Sequence, residues 1–199
     1  MASVKLTDIK KVYDNQAVAV HDFNLEIQDK EFVVFVGPSG CGKSTLLRIL
    51  MGLLKADAGD CPKGVRCSCA FQDNRLLPHL SALRNLNFVS DREDLRKLLA
   101  ELLPEKDLDL PVEKLSGGMQ RRVAIARAMA ADSDLVLLDE PLNGLDEKNE
   151  KIAVEFILRH QDKRPVLIVS HRLEPFDGLK HRLLRMEGGK ISEENHDGK

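Results

Sequence analysis

Residues 32–45 read Phe32-Val-Val-Phe-Val-Gly37-Pro-Ser-Gly-Cys-Gly42-Lys43-Ser44-Thr45. Five apolar residues in a row suit a strand covered on both faces. They run straight into a glycine-rich loop, and Ser44 to Leu54 then places Leu46, Leu47, Leu50, Leu53 and Leu54 at helical spacing, predicting a helix with one buried stripe. Gly-x-x-x-x-Gly-Lys-Ser between a strand and a helix is a phosphate loop in the context that it requires. The glycines let successive backbone N–H groups turn inward toward phosphate oxygens, and the helix adds the positive end of its dipole. Lys43 is placed to reach the β- and γ-phosphates, and the Ser44 hydroxyl to ligate the bridging Mg²⁺. Gly37, Pro38, Ser39, Gly40, Cys41, Gly42, Lys43, Ser44 and Thr45 are therefore candidate nucleotide-binding residues. A glycine-rich turn with no ligand has no use for the Lys-Ser that follows.

Outward from this unit, Leu135 to Leu138 and Val166 to Val169 are short buried strands joined through a helical stretch, Glu147 to His160. Strands alternating with helices predict an α/β fold with a mostly parallel sheet. Val4 to Ile9 and Phe23 to Ile27 alternate apolar and polar residues, so the chain opens with antiparallel β character. From Gln72 to Leu115 strand signals vanish. Prolines punctuate that segment, and Ser90-Asp-Arg-Glu93 reads as a capping box ahead of Leu95, Leu98, Leu99, Leu102 and Leu103, predicting a small helical insertion. From Ile191 the end is polar and is expected to fray.

The Leu135 strand ends in Asp139-Glu140-Pro141. Four apolar residues carry Asp139 to the carboxyl edge of the sheet, where ligands bind in open α/β sheets. Asp139 can serve Mg²⁺, and Glu140 can polarise an attacking water. Adjacent acidic residues elsewhere are usually a solvated turn; beside a phosphate loop the pair reads as one site.

Leu115-Ser116-Gly117-Gly118-Met119-Gln120 is similar to the signature motif of ATP-binding cassette (ABC) ATPases, and it precedes the Asp-Glu strand as in that family. Ser116 can cap the helix that runs on to Ala130, and Gly117-Gly118 leave N–H groups uncovered as a second anion site. The resemblance covers the chain from Val4 to about Ile191. It implies a phosphate-loop NTPase core over residues 1–72 and 132–199 with an N-terminal antiparallel part, and a helical subdomain over 73–131, all within one domain, 1–199. It implies ATP and Mg²⁺ as ligands and a head-to-tail pair, homodimeric or of paralogues, in which Ser116, Gly117, Gly118 and Gln120 of one copy meet the ATP of the other. By the same resemblance Gln72 contacts Mg²⁺ and the attacking water, His171 touches the γ-phosphate, Asn143 to Asp146 run along the dimer seam, and Tyr13 stacks on adenine. As an isolated residue Tyr13 would be an ordinary strand aromatic, and His171 a bland surface or core residue. The segment Lys55 to Arg66 is shorter than usual for the family, so the β element there is expected to be abbreviated. Asp73 to Leu80 resembles the version found in nitrate, sulfonate and taurine importers, which makes Arg75, Leu76 and Leu77 candidate contacts for a permease.

The bulk properties agree. The 199 residues suit one domain; 43% are hydrophobic and 31% charged, and the net charge of −2 gives no global field toward nucleic acid. No apolar run approaches the ~20 residues of a membrane span, and the first ten residues read as no leader. Cys61, Cys67 and Cys69 lack paired spacing and a fourth ligand for a metal, and Cys67 and Cys69 read as small apolar residues on one side of a strand. The expectation is thus a cytoplasmic ATP-hydrolysing subunit, peripheral on the inner face of the membrane through integral permease subunits, with a solute-binding protein as a further partner and no nucleic acid. A soluble ABC ATPase of DNA repair or translation is the alternative; those generally carry a tandem cassette or a long coiled coil. An ATP-binding regulator without hydrolysis is a third, disfavoured by Lys43, Asp139, Glu140 and His171 together.

Overall fold

A computed structural model of the chain describes residues 3–13, 18–61, 63–188 and 190–198. The first two residues of the stretch read as no leader lie outside these. β1 (Val4–Val12) and β2 (Val18–Ile27) pair antiparallel, and a three-residue strand β4 (Ala58–Asp60) adds to β1 at Thr7 and Lys10. The expected antiparallel part is there, with its third strand abbreviated.

The main sheet has six strands. β3 (Phe32–Val36), β5 (Cys67–Ala70), β6 (Leu135–Asp139), β7 (Val166–Val169) and β8 (Lys180–Glu187) are parallel, and β9 (Lys190–Asp197) closes the edge antiparallel, in the order β5-β6-β7-β3-β8-β9. The five residues of β3 are all buried, and they alternate between two cores. Phe32, Val34 and Val36 pack with Val136, Leu138, Val166 and Ile168 under α4 (Gly117–Ala130) and α5 (Glu147–His160). Val33 and Phe35 pack with Leu137 and Val169 under α1 (Lys43–Leu50) and the antiparallel sheet. An apolar run with no alternation is what a strand needs when both of its faces are covered.

Three local expectations are corrected. The helix after the phosphate loop ends at Leu50, not Leu54. Gly52 turns left-handed (φ 68°) and the amides of Leu53 and Leu54 fold back onto the Arg48 carbonyl, so Leu53 is 65% exposed instead of continuing the buried stripe. Ser90 makes no capping box. The helix α3 (Leu95–Ala100) starts behind Asp94, which makes no cap bond because Arg92 engages both of its carboxylate oxygens, at 2.9 and 2.7 Å. Leu102 and Leu103 are buried, but lie in the turn after it. The cap in this region is Ser81, which accepts from the Arg84 amide at 3.1 Å and starts α2 (Ala82–Asn87). The polar end is the edge strand β9. Its pairing with β8 runs from Lys180↔Asp197 to Glu187↔Lys190, supported by Arg182–Glu193 at 2.8 Å and by His181 stacked on His196 at 4.8 Å. Only Ile191 of this strand packs against a core, so its sequence carries no apolar alternation to read.

Candidate nucleotide site

The strand order brings the carboxyl ends of β3, β5, β6 and β7 to one edge of the sheet, and each delivers a candidate group there. The phosphate loop follows β3, Gln72 follows β5, Asp139 and Glu140 close β6, and His171 follows β7. A cavity of about 480 Å³ opens at this edge; its wall contains Tyr13, Ser39, Gly40, Gly42, Lys43, Ser44, Thr45, Gln72, Asp139, Glu140 and His171. A larger cavity of about 660 Å³ at the amino-terminal ends of the strands, around Lys30, Gln161 and His181, has none of these groups.

Backbone conformation shapes the loop. Gly42 sits at φ 113°, and a Cβ there would fall 2.1 Å from the Ala19 carbonyl oxygen, so only glycine lets α1 start this close to β2. Lys43 is 6% exposed, and its Nζ donates to the carbonyls of Gly37 at 2.6 Å and Pro38 at 3.0 Å, with Cys41 Sγ at 3.6 Å. The loop thus cages its own ammonium. Gly37, Pro38 and Cys41 stand behind the cavity wall as that cage, not on the wall. Thr45 is buried and its Oγ1 shares a hydrogen bond of 2.9 Å with the Tyr13 hydroxyl, which fixes the Tyr13 ring at the rim.

Glu140 is a buried carboxylate in an unusual backbone state. Its φ is 50°, a left-handed conformation that costs a non-glycine residue about 1 kcal/mol or more and that concentrates at functional sites. The Glu140 amide donates to Val169 O at 3.0 Å, which ties the residue to the end of β7. His171 Nε2 lies 3.0 Å from Glu140 Oε1, yet the alignment leaves that oxygen buried without a hydrogen-bond partner among the described residues. Burial raises the Glu140 pKa; His171 opposes the rise and Asp139 adds to it. Burial also raises Asp139, against the pull of Lys43, Arg121 and His171. Two carboxylates half-withdrawn from water beside a lysine form a site short of positive charge, and a metal ion would supply it. The hydroxyl of Ser44, the amide oxygen of Gln72 and the carboxylate of Asp139 are hard oxygen donors of the kind Mg²⁺ takes.

Ser116 caps α4 by accepting from the Met119 amide at 3.3 Å, and Ser116 and Gly117 are exposed. Gln120 turns inward, donating to Leu115 O at 3.0 Å. Ser116, Gly117, Gly118 and Gln120 take no part in the wall of the cavity of their own chain. The residues that sequence reading missed are arginines. Arg121 and Arg127 of α4 donate to carbonyls of the segment around Gln72, and Arg164 to the carboxyl ends of two helices. Backbone carbonyls carry no residue identity, so no motif announces these contacts.

With this geometry in view, residues 20–143 match the model of the ABC transporter family. The chain belongs to the ABC transporter family. It is 36% identical to the oligosaccharides import ATP-binding protein MsmX of Bacillus subtilis over 97% of its own length and 59% of that protein's. It is 35% identical to the sn-glycerol-3-phosphate import ATP-binding protein UgpC of Bartonella bacilliformis, over 97% of the chain and 62% of the relative. The chain thus spans about 60% of the length of the relatives it matches. Among solved structures, the dimeric structure of the bacterial ABC transporter cassette MJ0796 superposes with a TM-score of 0.83 at 28% identity, covering 98% of this chain and all of that one. A post-hydrolysis dimer of the same cassette, bound to ADP and Pi, gives 0.81 at 30% identity, with the same coverage of each chain. The cassette fold is therefore common to both. The thiols of Cys67 and Cys69, pushed up by burial to about 11 and about 12, pack in the core beneath the antiparallel sheet as unreactive apolar groups.

Proposed function

We propose that this ABC cassette binds and hydrolyses ATP as the nucleotide-binding part of an importer, on the cytoplasmic face of a membrane, beneath separate permease subunits. The observation that carries the reading is the one cavity wall that holds the phosphate loop, Gln72, Asp139, Glu140 and His171 together. The import names of the relatives support the direction, and the two dimeric cassettes support a pair. No helix among the described residues is long and apolar enough to cross a membrane, so in this reading the membrane part is another polypeptide.

In this reading the adenine lies on Tyr13, and the phosphates follow the loop from Ser39 to Thr45. Lys43 exchanges the carbonyls of Gly37 and Pro38 for the β- and γ-phosphate oxygens, trading neutral acceptors for anionic ones. Mg²⁺ held by Ser44, Asp139 and Gln72 neutralises charge on the β- and γ-oxygens as the terminal phosphoryl leaves. Glu140 takes a proton from the attacking water, and His171, in contact with Glu140, donates to the γ-phosphate. The exposed signature residues Ser116, Gly117 and Gly118, with Gln120, close over the ATP of a second cassette placed head to tail. Residues 73–131 act as the helical subdomain, and Arg75, Leu76 and Leu77 meet the permease. The resemblance of Asp73 to Leu80 to nitrate-type importers and the sugar and glycerol-phosphate names of the relatives agree on import. The solute is chosen by the permease and any solute-binding protein.

Glu140→Gln tests the reading. The variant is expected to bind ATP as the wild type does, to lose at least ~10²-fold in turnover, and to accumulate as a nucleotide-bound dimer by size-exclusion chromatography. Normal turnover by that variant would remove Glu140 as the base.

A further inference from the structure

The loop that carries Gln72 is fastened by a different element from the strand that leads into it. Arg121, in the second turn of α4, donates from Nη1 to Phe71 O at 2.8 Å and from Nη2 to Gln72 O at 2.5 Å. Six residues on, Arg127 donates from Nη1 to Arg75 O at 2.8 Å and from Nη2 to Asn74 O at 3.1 Å. Four carbonyls of a five-residue segment are thus held by two forks projecting from the helix that Ser116 caps. Arg121 is 7% exposed and forms no ion pair among the described residues, so those two carbonyls satisfy a buried cation. A guanidinium in that position cannot let go of the loop without leaving a desolvated charge unpaired. The remaining contact of the segment is the Arg75 guanidinium stacked on the Phe71 ring, 3.9 Å from its centroid, which stiffens it internally.

From this geometry we infer that Arg121 is a positioning residue: it makes the orientation of the signature helix and the placement of Gln72 a single mechanical variable. The inference rests on the proposed function, because it assigns Gln72 to the metal and water of the ATP site. A turn of α4 toward or away from a partner's ATP moves the Phe71 and Gln72 carbonyls with it. Gln72 therefore reaches the Mg²⁺ and water position when the signature end is seated and withdraws when it is not. The charge on Arg121 also acts on Asp139 and Glu140. A neutral replacement removes both the tether and that field, whereas lysine keeps the charge and loses the two-pronged fork.

The test uses Arg121→Gln and Arg121→Lys in the full chain, with two readouts. Without nucleotide, the backbone carbonyl ¹³C shifts of Phe71 and Gln72 are expected to move, and the NMR order parameters of residues 72–75 to fall from ~0.85 toward 0.6, in Arg121→Gln. The signals of β3 stay fixed. In steady-state hydrolysis, Arg121→Gln is expected to lose about 10- to 100-fold in kcat with KM for ATP little changed and the half-saturating Mg²⁺ concentration raised, and Arg121→Lys to recover part of the kcat. Unmoved Phe71 and Gln72 carbonyl signals in Arg121→Gln overturn the tether. A loss confined to KM, or one that lysine does not relieve at all, overturns the positioning role. If Arg121→Gln fails to fold, Arg121→Lys carries the same two readouts against wild type. A wild-type chain that shows no ATP turnover sinks the proposed function, while the carbonyl signals still decide the tether.

Discussion

Glu140 concentrates most of the physical conflict in the molecule. Its backbone is left-handed, its carboxylate is buried, and one oxygen has no hydrogen-bond partner among the described residues. Burial lifts its pKa above the ordinary glutamate value, ~4.3. A base must be ionised to accept a proton, so the acid limb of the kcat profile is expected above that value, and a limb at or below it would place the base elsewhere. The sign for stability follows from the same shift. A folded-state pKa above the unfolded one means that the ionised form costs native stability at neutral pH, and that this cost disappears once the pH falls below the unfolded value. Glu140→Gln is therefore expected to raise Tm near neutral pH and to leave it unchanged near pH ~4. Equal melting temperatures at both would mean that His171 fully compensates the charge. The identity of this residue was legible from Leu135 to Pro141, because an apolar strand ending in two acids beside a phosphate loop has few other readings. Its strain and its unpartnered oxygen were not, since both depend on β7 lying alongside.

At the scale of elements, a helix leaves its last carbonyls without partners, and here one side chain collects them from two helices. Arg164 donates to Met129 O at 2.9 Å and Ala131 O at 2.9 Å at the end of α4, and to His160 O at 2.8 Å at the end of α5. Burial lowers its pKa, as expected for a cation withdrawn from water with only carbonyls for company. Arg164→Met leaves three acceptors unsatisfied and is expected to cost about 2 kcal/mol, or roughly 4–8 °C in Tm for a domain of this length. Calorimetry on the variant checks this, and a change under ~1 °C would show that water replaces the guanidinium at no cost. The elements themselves divide by how much local chemistry they carry. β3, β7 and α5 fall where their apolar runs and spacing place them. The end of α1 and the start of α3 do not, because Gly52 and Arg92 settle those boundaries through contacts that outweigh leucine spacing.

For the whole molecule the decisive fact is a separation. The signature residues Ser116, Gly117, Gly118 and Gln120 are absent from the cavity wall that holds Lys43 and Glu140, so in the proposed pair each site takes one half from each copy. Ser116→Trp and Lys43→Ala are each expected to be inactive alone. Mixed in equal amounts they are expected to regain hydrolysis at about a quarter of the wild-type sites, because half of randomly formed pairs contain one intact composite site. No recovery at any mixing ratio counts against the head-to-tail arrangement. The sequence by itself determined the phosphate loop, the acidic strand end, the parallel core and the signature, because each is a contiguous string whose chemistry is local. Tertiary structure alone decided which strand ends stand side by side, that the polar tail becomes the edge strand β9, and that arginines of α4 hold the Gln72 loop. Those depend on backbone groups meeting across long stretches of chain. Every residue offers the same carbonyl and amide, and only the folded path says which of them meet.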